Sequence, residues 1–291
     1  MSGSIASSLR QVLLHDIIAW SSACADIRAV ALVGSNARAD HPADEWSDID
    51  LVLIAANPDL YLQSSTWLNA IGEPWIITVE RDPDGCIVER RVLFRSGIDV
   101  DFIVLAPDRI GALQEEPLAS ILSRGVQVLL DQDQIFPPFQ LKLHPEKPAC
   151  PPSSAEFSEL VNDFLFHCIW TAKKIKRGEL WTAKSCCDIY MKKLLVTMIE
   201  WHTQALNGWT EETWYNGRFM EHWAGANVVA ALCGVFAHYD EEEIKKALLN
   251  TIQLFDELAR ETAQQLSYSY PQGEAQSIIK YLYDRYGFLP T

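Results

Sequence analysis

Between residues 34 and 51 the chain reads Gly34-Ser35-Asn36-Ala37-Arg38-Ala39-Asp40 and then, after a short spacer, Ser47-Asp48-Ile49-Asp50-Leu51. An apolar run over Ile27 to Val33 reads as a buried strand that stops at Gly34-Ser35, with a helix expected to start just after. Glycine permits close backbone approach, and exposed amide N–H groups at a helix start form an anion site. Ser35 adds a hydroxyl donor. On a strand, residues two apart face the same side, so Asp48 and Asp50 aim two carboxylates at one point while Ile49 and Leu51 face the core. Two adjacent carboxylates repel each other unless a cation sits between them, and hard cations such as Mg²⁺ match carboxylate oxygens and phosphate.

A third acidic strand lies downstream, Ile98-Asp99-Val100-Asp101-Phe102-Ile103. Asp99 and Asp101 share a face, and one or both can complete a metal site. Three carboxylates holding one or two Mg²⁺ fit nucleotidyl transfer, in which metals clamp the attacking and leaving oxygens. Asp-x-Asp alone is common on solvated edge strands. Joined to Gly-Ser and to an aspartate in an otherwise apolar strand, it points to a metal-phosphate site.

The surrounding pattern is α+β. Ser4 to Ser22 has helical periodicity. Asp48 to Ile54, Trp75 to Glu80, Cys86 to Phe94 and Ile98 to Leu105 read as strands, and Asp82-Pro83-Asp84-Gly85 as a turn. Pro58 to Ile71 reads as a helix capped by Asn57. This order predicts a mixed sheet flanked by helices. Prolines from Phe136 to Pro152 mark a connector, so the domains are placed at 1–140, a linker at 141–152, and 153–291. The last is expected to be an α-helical bundle, with helices at Ser153 to Arg177, Trp181 to Ala205, Asp240 to Leu266 and Gly273 to Tyr286.

The chain has 291 residues, is 48% hydrophobic and carries a net charge of −15, which disfavours nucleic-acid backbones and favours a small polycation. Every lysine lies after Phe139, so a lysine that meets phosphate must come from the second half. No apolar run approaches the roughly 20 residues of a membrane span. Seven cysteines without a C-x-x-C pair and without a secretory leader predict reduced thiols and a cytoplasmic protein. A monomer is expected.

Gly34-Ser35-x-x-Arg38 followed by Ser47-Asp48-Ile49-Asp50-Leu51 resembles the signature of the polymerase-β-like nucleotidyltransferase superfamily. The wider chain resembles the aminoglycoside 6-adenylyltransferases, the streptomycin-modifying branch, through Ala37-Arg38-Ala39-Asp40, Val100-Asp101-Phe102, Asn162-Asp163-Phe164, Trp170, Ala183-Lys184, Asp188, Met198-Ile199-Glu200-Trp201 and Asn216-Gly217-Arg218-Phe219. The resemblance implies that Gly34, Ser35 and Arg38 hold the triphosphate of ATP, and that Asp48, Asp50 and Asp101 bind Mg²⁺. It implies that Asp188 is a general base and Lys192 a phosphate ligand. Four residues apart in the expected helix, these two would share a face, as an ordinary surface ion pair also would. Glu80 and Glu89 are rival bases, and Asp99 has no family role. The implied reaction is AMP transfer from ATP to a hydroxyl of an aminoglycoside, streptomycin above all, with release of pyrophosphate and resistance as the outcome. Within the superfamily, another small molecule, a protein or an RNA is the alternative acceptor. Outside it, a nucleotide-binding regulator without catalysis is the rival reading.

Overall fold

The computed structural model describes residues 2–38, 41–81, 87–115, 118–136 and 149–287. The chain divides into two compact units, residues 1–147 and 148–291.

In the first unit, α1 (Ser2–Ala23) leads into β1 (Ile27–Leu32), β2 (Ile49–Ala55), α2 (Asp59–Gln63), β3 (Pro74–Arg81), β4 (Val88–Phe94), β5 (Asp99–Leu105), α3 (Leu118–Ser123) and β6 (Gln127–Asp131). The strands form one sheet in the order β3-β4-β5-β2-β1-β6. β2 and β5 run parallel, and the other neighbours are antiparallel. The sheet is mixed, as the alternation of hairpins and helices predicts. The central strands β1, β2 and β5 are almost wholly apolar because both faces are covered. One face carries Leu51, Leu53, Phe102 and Val104 under Leu13 and Ile17 of α1 and Tyr61 of α2. The other carries Val52, Ile54, Ile103 and Leu105 under Leu113, Leu122 and Phe136. Burying one such Leu or Phe contributes about 1.5–3 kcal/mol. The aspartates interrupt this pattern only where strands enter the sheet: Asp50 is the second residue of β2, and Asp101 the third of β5.

Three expectations change. The single helix over Pro58 to Ile71 is two short pieces, α2 and a 3₁₀ turn at Thr66–Ala70. At Ser64 the chain turns extended, and the Ser64 hydroxyl accepts from the Thr66 N–H at 3.3 Å, a local bond that competes with the helix. Asn57 does not cap; Pro58 occupies that position without a side-chain cap. The helix expected directly after Gly34-Ser35 is only one 3₁₀ turn, Gly34–Asn36. β6, a five-residue half-exposed edge strand, is an addition to the expected set. The Asp82-Pro83-Asp84-Gly85 turn, Cys86, and the connector between 137 and 148 lie outside the described residues.

The second unit is helical: α4 (Ser154–Lys176), α5 (Leu180–Ser185), a π turn (Cys186–Tyr190), α6 (Met191–Leu206), α7 (Met220–Trp223), α8 (Ala226–Leu232), α9 (Glu241–Leu266) and α10 (Gln272–Tyr286). Ser153 and Glu156 close a reciprocal cap on α4, and Asp240 accepts from the N–H groups of Glu242 and Glu243 at the start of α9. Phe164 of α4 stacks on Phe255 of α9 with ring centroids 3.6 Å apart. The continuous helix expected over Trp181 to Ala205 is interrupted by the π turn, which adds a residue to one helical turn and rotates everything after it. Among the described residues, no helix is long and apolar enough to cross a membrane, and Cys24, Cys150, Cys168, Cys186, Cys187 and Cys233 are free thiols.

Candidate active site

Parallel pairing of β2 with β5 sets Asp50 directly beside Asp101. Asp48 stands just before β2. One carboxylate oxygen from each of Asp48, Asp50 and Asp101 falls within 4.8 Å of the other two. Asp101 is buried, with 8% of its surface exposed. Burial, then the charges of Asp48, Asp101 and Glu89, push the Asp50 carboxyl up to about 7. Asp101 is likewise raised by burial, against the opposing pull of Arg91. Crowded acids of this kind are destabilised as anions until a cation joins them.

Gly34 has φ +62°, and a Cβ there would lie 2.4 Å from Asp50 Oδ2. The carboxylate occupies the space that a side chain at 34 would need. Gly125 makes a second close approach: its Cβ would lie 2.1 Å from the Ala37 carbonyl oxygen, so the segment after the 3₁₀ turn rests on the loop before β6. The Ser35 hydroxyl oxygen is buried with no hydrogen-bond partner, an unmet polar group beside the triad's turn. Arg38 donates from Nε to the His41 carbonyl at 2.9 Å. Ala39 and Asp40 are outside the described residues. Three converging carboxylates, a bare glycine and an unpartnered hydroxyl match a hard divalent cation with phosphate next to it.

Two arginines not singled out in the sequence, Arg91 and Arg10, complete the surroundings. Arg91 of β4 pairs with Asp101 on β5, bonding Asp101 Oδ2 from Nε at 3.0 Å and Glu80 Oε2 from Nη1 at 2.9 Å. Arg10 of α1 and Asn36 meet at the backbone of Ser47 and Asp48. Alternation along Val88-Glu89-Arg90-Arg91 was the available signal for Arg91, since it places Glu89 and Arg91 on the face of Asp101. No pattern in α1 announces Arg10, because its partners are 26 to 38 residues away. Glu89 is half-buried, and its carboxyl is raised by burial first and then by Asp101. Asp99 is exposed at the start of β5, and Trp46 is 84% exposed beside the triad's segment.

In the second unit Asp188 and Lys192 do not pair. Asp188, in the π turn, pairs with Lys184, whose amine also donates to the Ala237 carbonyl. Asp188 Oδ1 is buried without a partner. Lys192 is 7% exposed and donates to the Cys187 carbonyl at 3.0 Å and to Thr251 Oγ1 at 2.8 Å. Burial holds its amine below the usual lysine range. The surface ion pair, one of the two readings of that spacing, is not formed: Asp188 pairs with Lys184, and the Lys192 amine is buried against Cys187 and Thr251.

A family model described as streptomycin adenylyltransferase matches residues 9–285. The chain belongs to the streptomycin adenylyltransferase family. Members of that family are nucleotidyltransferases, and this chain is an enzyme of that type. Within it, the chain is 23% identical over 264 residues to an aminoglycoside 6-adenylyltransferase of Bacillus subtilis, covering 88% of this chain and 90% of the relative. It is 24% identical over 254 residues to an aminoglycoside 6-adenylyltransferase of Campylobacter jejuni, covering 84% of this chain and 85% of the relative. A solved structure of the Bacillus subtilis aminoglycoside 6-adenyltransferase is also similar, at 19% identity and a TM-score of 0.43 over 93% of this chain and 95% of that one.

Proposed function

We propose that this enzyme transfers AMP from Mg²⁺-ATP to a hydroxyl of an aminoglycoside, with streptomycin as the preferred acceptor, and releases pyrophosphate. The observation that carries the reading is the convergence of Asp48, Asp50 and Asp101 beside Gly34 and the unpartnered Ser35 hydroxyl. Both curated relatives bear the name aminoglycoside 6-adenylyltransferase. The guanidinium groups of streptomycin suit a protein of charge −15.

Asp48, Asp50 and Asp101 hold the metal in this reading. Bound Mg²⁺ supplies charge neutralisation at the phosphates and at the acceptor oxygen. The Gly34–Ser35 amides and the Ser35 hydroxyl cradle the triphosphate, with Arg38 assisting. The acceptor oxygen attacks the α-phosphorus, the bond to the bridging oxygen of pyrophosphate breaks, and the acceptor proton passes to a carboxylate. Glu89 is our choice for that base. It is on the same sheet face as Asp101, and burial raises its carboxyl, the direction that favours proton uptake. Asp188, held by Lys184 with one oxygen unpartnered, is the second candidate. We assign Lys192 to the packing of the helical unit rather than to phosphate.

The test is pyrophosphate release from Mg²⁺-ATP with streptomycin, spectinomycin, kanamycin or no acceptor. Streptomycin-dependent release supports the full reading. Release with another aminoglycoside alone discards the streptomycin assignment. ATP binding without release from any acceptor returns the alternatives of a protein or RNA acceptor, or of a regulator.

A further inference from the structure

Asp50 and Asp101 are fixed by the β2–β5 ladder, but Asp48 precedes the first residue of β2. Its place in the triad therefore needs support from outside the sheet. That support is specific. The Asp48 carbonyl oxygen accepts from Arg10 Nη2 at 2.7 Å and from Asn36 Nδ2 at 2.9 Å. The other arm of the same guanidinium donates to the Ser47 carbonyl, and Nη2 also donates to Asn36 Oδ1. Arg10 thus bridges two stretches of the motif, the Gly34–Asn36 turn and the Ser47–Asp48 entrance to β2.

The choice of partners is informative. Asp44, Asp48, Asp50 and Asp99 all act electrostatically on Arg10, yet its fork rests on two backbone carbonyls and one amide oxygen. A residue present only to balance negative charge would pair with a carboxylate. A planar fork with fixed donor directions is suited to holding two strands of backbone at a set separation. Asn36 completes the brace by donating to one backbone carbonyl while accepting from the guanidinium.

We propose that Arg10 and Asn36 are positioning residues that brace the Gly34–Asn36 turn against the Ser47–Asp48 segment, setting the Asp48 carboxylate for metal binding. The inference rests on the metal-dependent reading above. Loss of such an outer support costs about 10- to 100-fold in metal affinity or activity.

The experiment measures Mn²⁺ binding by electron paramagnetic resonance, without nucleotide or acceptor, on the full chain and on Arg10→Met, Arg10→Lys and Asn36→Ala. Thermal melts and the Mg²⁺ concentration for half-maximal activity are recorded in parallel. Arg10→Met is expected to bind Mn²⁺ about tenfold more weakly and to need correspondingly more Mg²⁺. Arg10→Lys keeps the charge and loses the fork, so it should resemble Arg10→Met. Asn36→Ala should shift the same constants in the same direction, and it carries the test if Arg10→Met does not fold. Arg28→Met, which removes an arginine paired with Asp133 instead, is the charge control and should leave Mn²⁺ affinity unchanged. Wild-type affinity in Arg10→Met and Asn36→Ala, or full recovery in Arg10→Lys, overturns the brace while leaving the triad reading intact. Failure of the unaltered protein to bind Mn²⁺ overturns the triad reading, and the brace with it.

Discussion

The carboxylate of Asp50 fills the space next to Gly34, with Oδ2 lying 2.4 Å from where a Cβ on residue 34 would be. The glycine is therefore required twice over, by its φ of +62° and by its neighbour. Gly34→Ala combines about 1 kcal/mol or more of backbone strain with displacement of Asp50. We expect a fall of at least about 100-fold in kcat/KM, with the far-ultraviolet circular dichroism spectrum unchanged. An alanine variant with near-normal turnover would show that Asp50 can move without consequence.

Asp50 gives the metal-free protein a pH dependence of defined sign. Its carboxyl sits at about 7 in the fold, against about 3.9 in an unfolded chain. Between those values the folded state keeps a proton that the unfolded chain has released. Stability in EDTA should therefore fall as pH rises through this window and level off above about 7. Thermal melts at about pH 5 and 8 are expected to differ clearly for the unaltered protein and much less for Asp50→Asn. Saturating Mg²⁺ should reverse the trend, because it binds the ionised carboxylates. Parallel melting curves for the two proteins in EDTA contradict the assignment.

The two candidate bases separate by mutation. Glu89→Gln is expected to lower kcat by about 100- to 10,000-fold with little change in the KM for ATP, and to flatten the acidic limb of the pH–rate profile. Asp188→Asn is expected to keep most of kcat. The opposite ranking moves the base to the helical unit.

Lys192 tests the altered view of the second unit. Lys192→Met removes donors to Cys187 O and Thr251 Oγ1, leaving a buried carbonyl of the π turn short of a partner, at a cost of about 1–3 kcal/mol. The melting temperature should drop by a few degrees while the KM for ATP stays within about twofold. A large rise in that KM with unchanged stability restores the lysine to the phosphate.

What could be read from the residues alone was what depends on short spacing. The two-residue period set Asp48 and Asp50 together and marked Asp101 as an aspartate in an apolar strand. The helix starts expected at Ser153 and Asp240 coincide with the observed N-caps of α4 and α9. Two kinds of feature escaped. Contacts between distant segments are one: Arg10 of α1 meets Ser47 only through tertiary packing, and alternation gives the face of Arg91 but not its cross-strand neighbour Asp101. Departures from ideal geometry, such as the break at Ser64 and the π turn at Cys186, are marked by no glycine or proline, yet they move individual side chains. Asp188 and Lys192 show the result: the helix was legible and its facing was not.

The five residues Cys186 to Tyr190 also bear on how this chain is compared with its relatives. A widened turn is equivalent to one residue inserted into a helix. Where a relative lacks it, an alignment drawn without a gap pairs each residue on one side of Cys186 with a neighbour of its true counterpart. Lys184 and Asp188 fall on opposite sides of that point. Against a relative without the turn, a role carried across that point by sequence alone lands one position off, and superposed backbones are needed to place it.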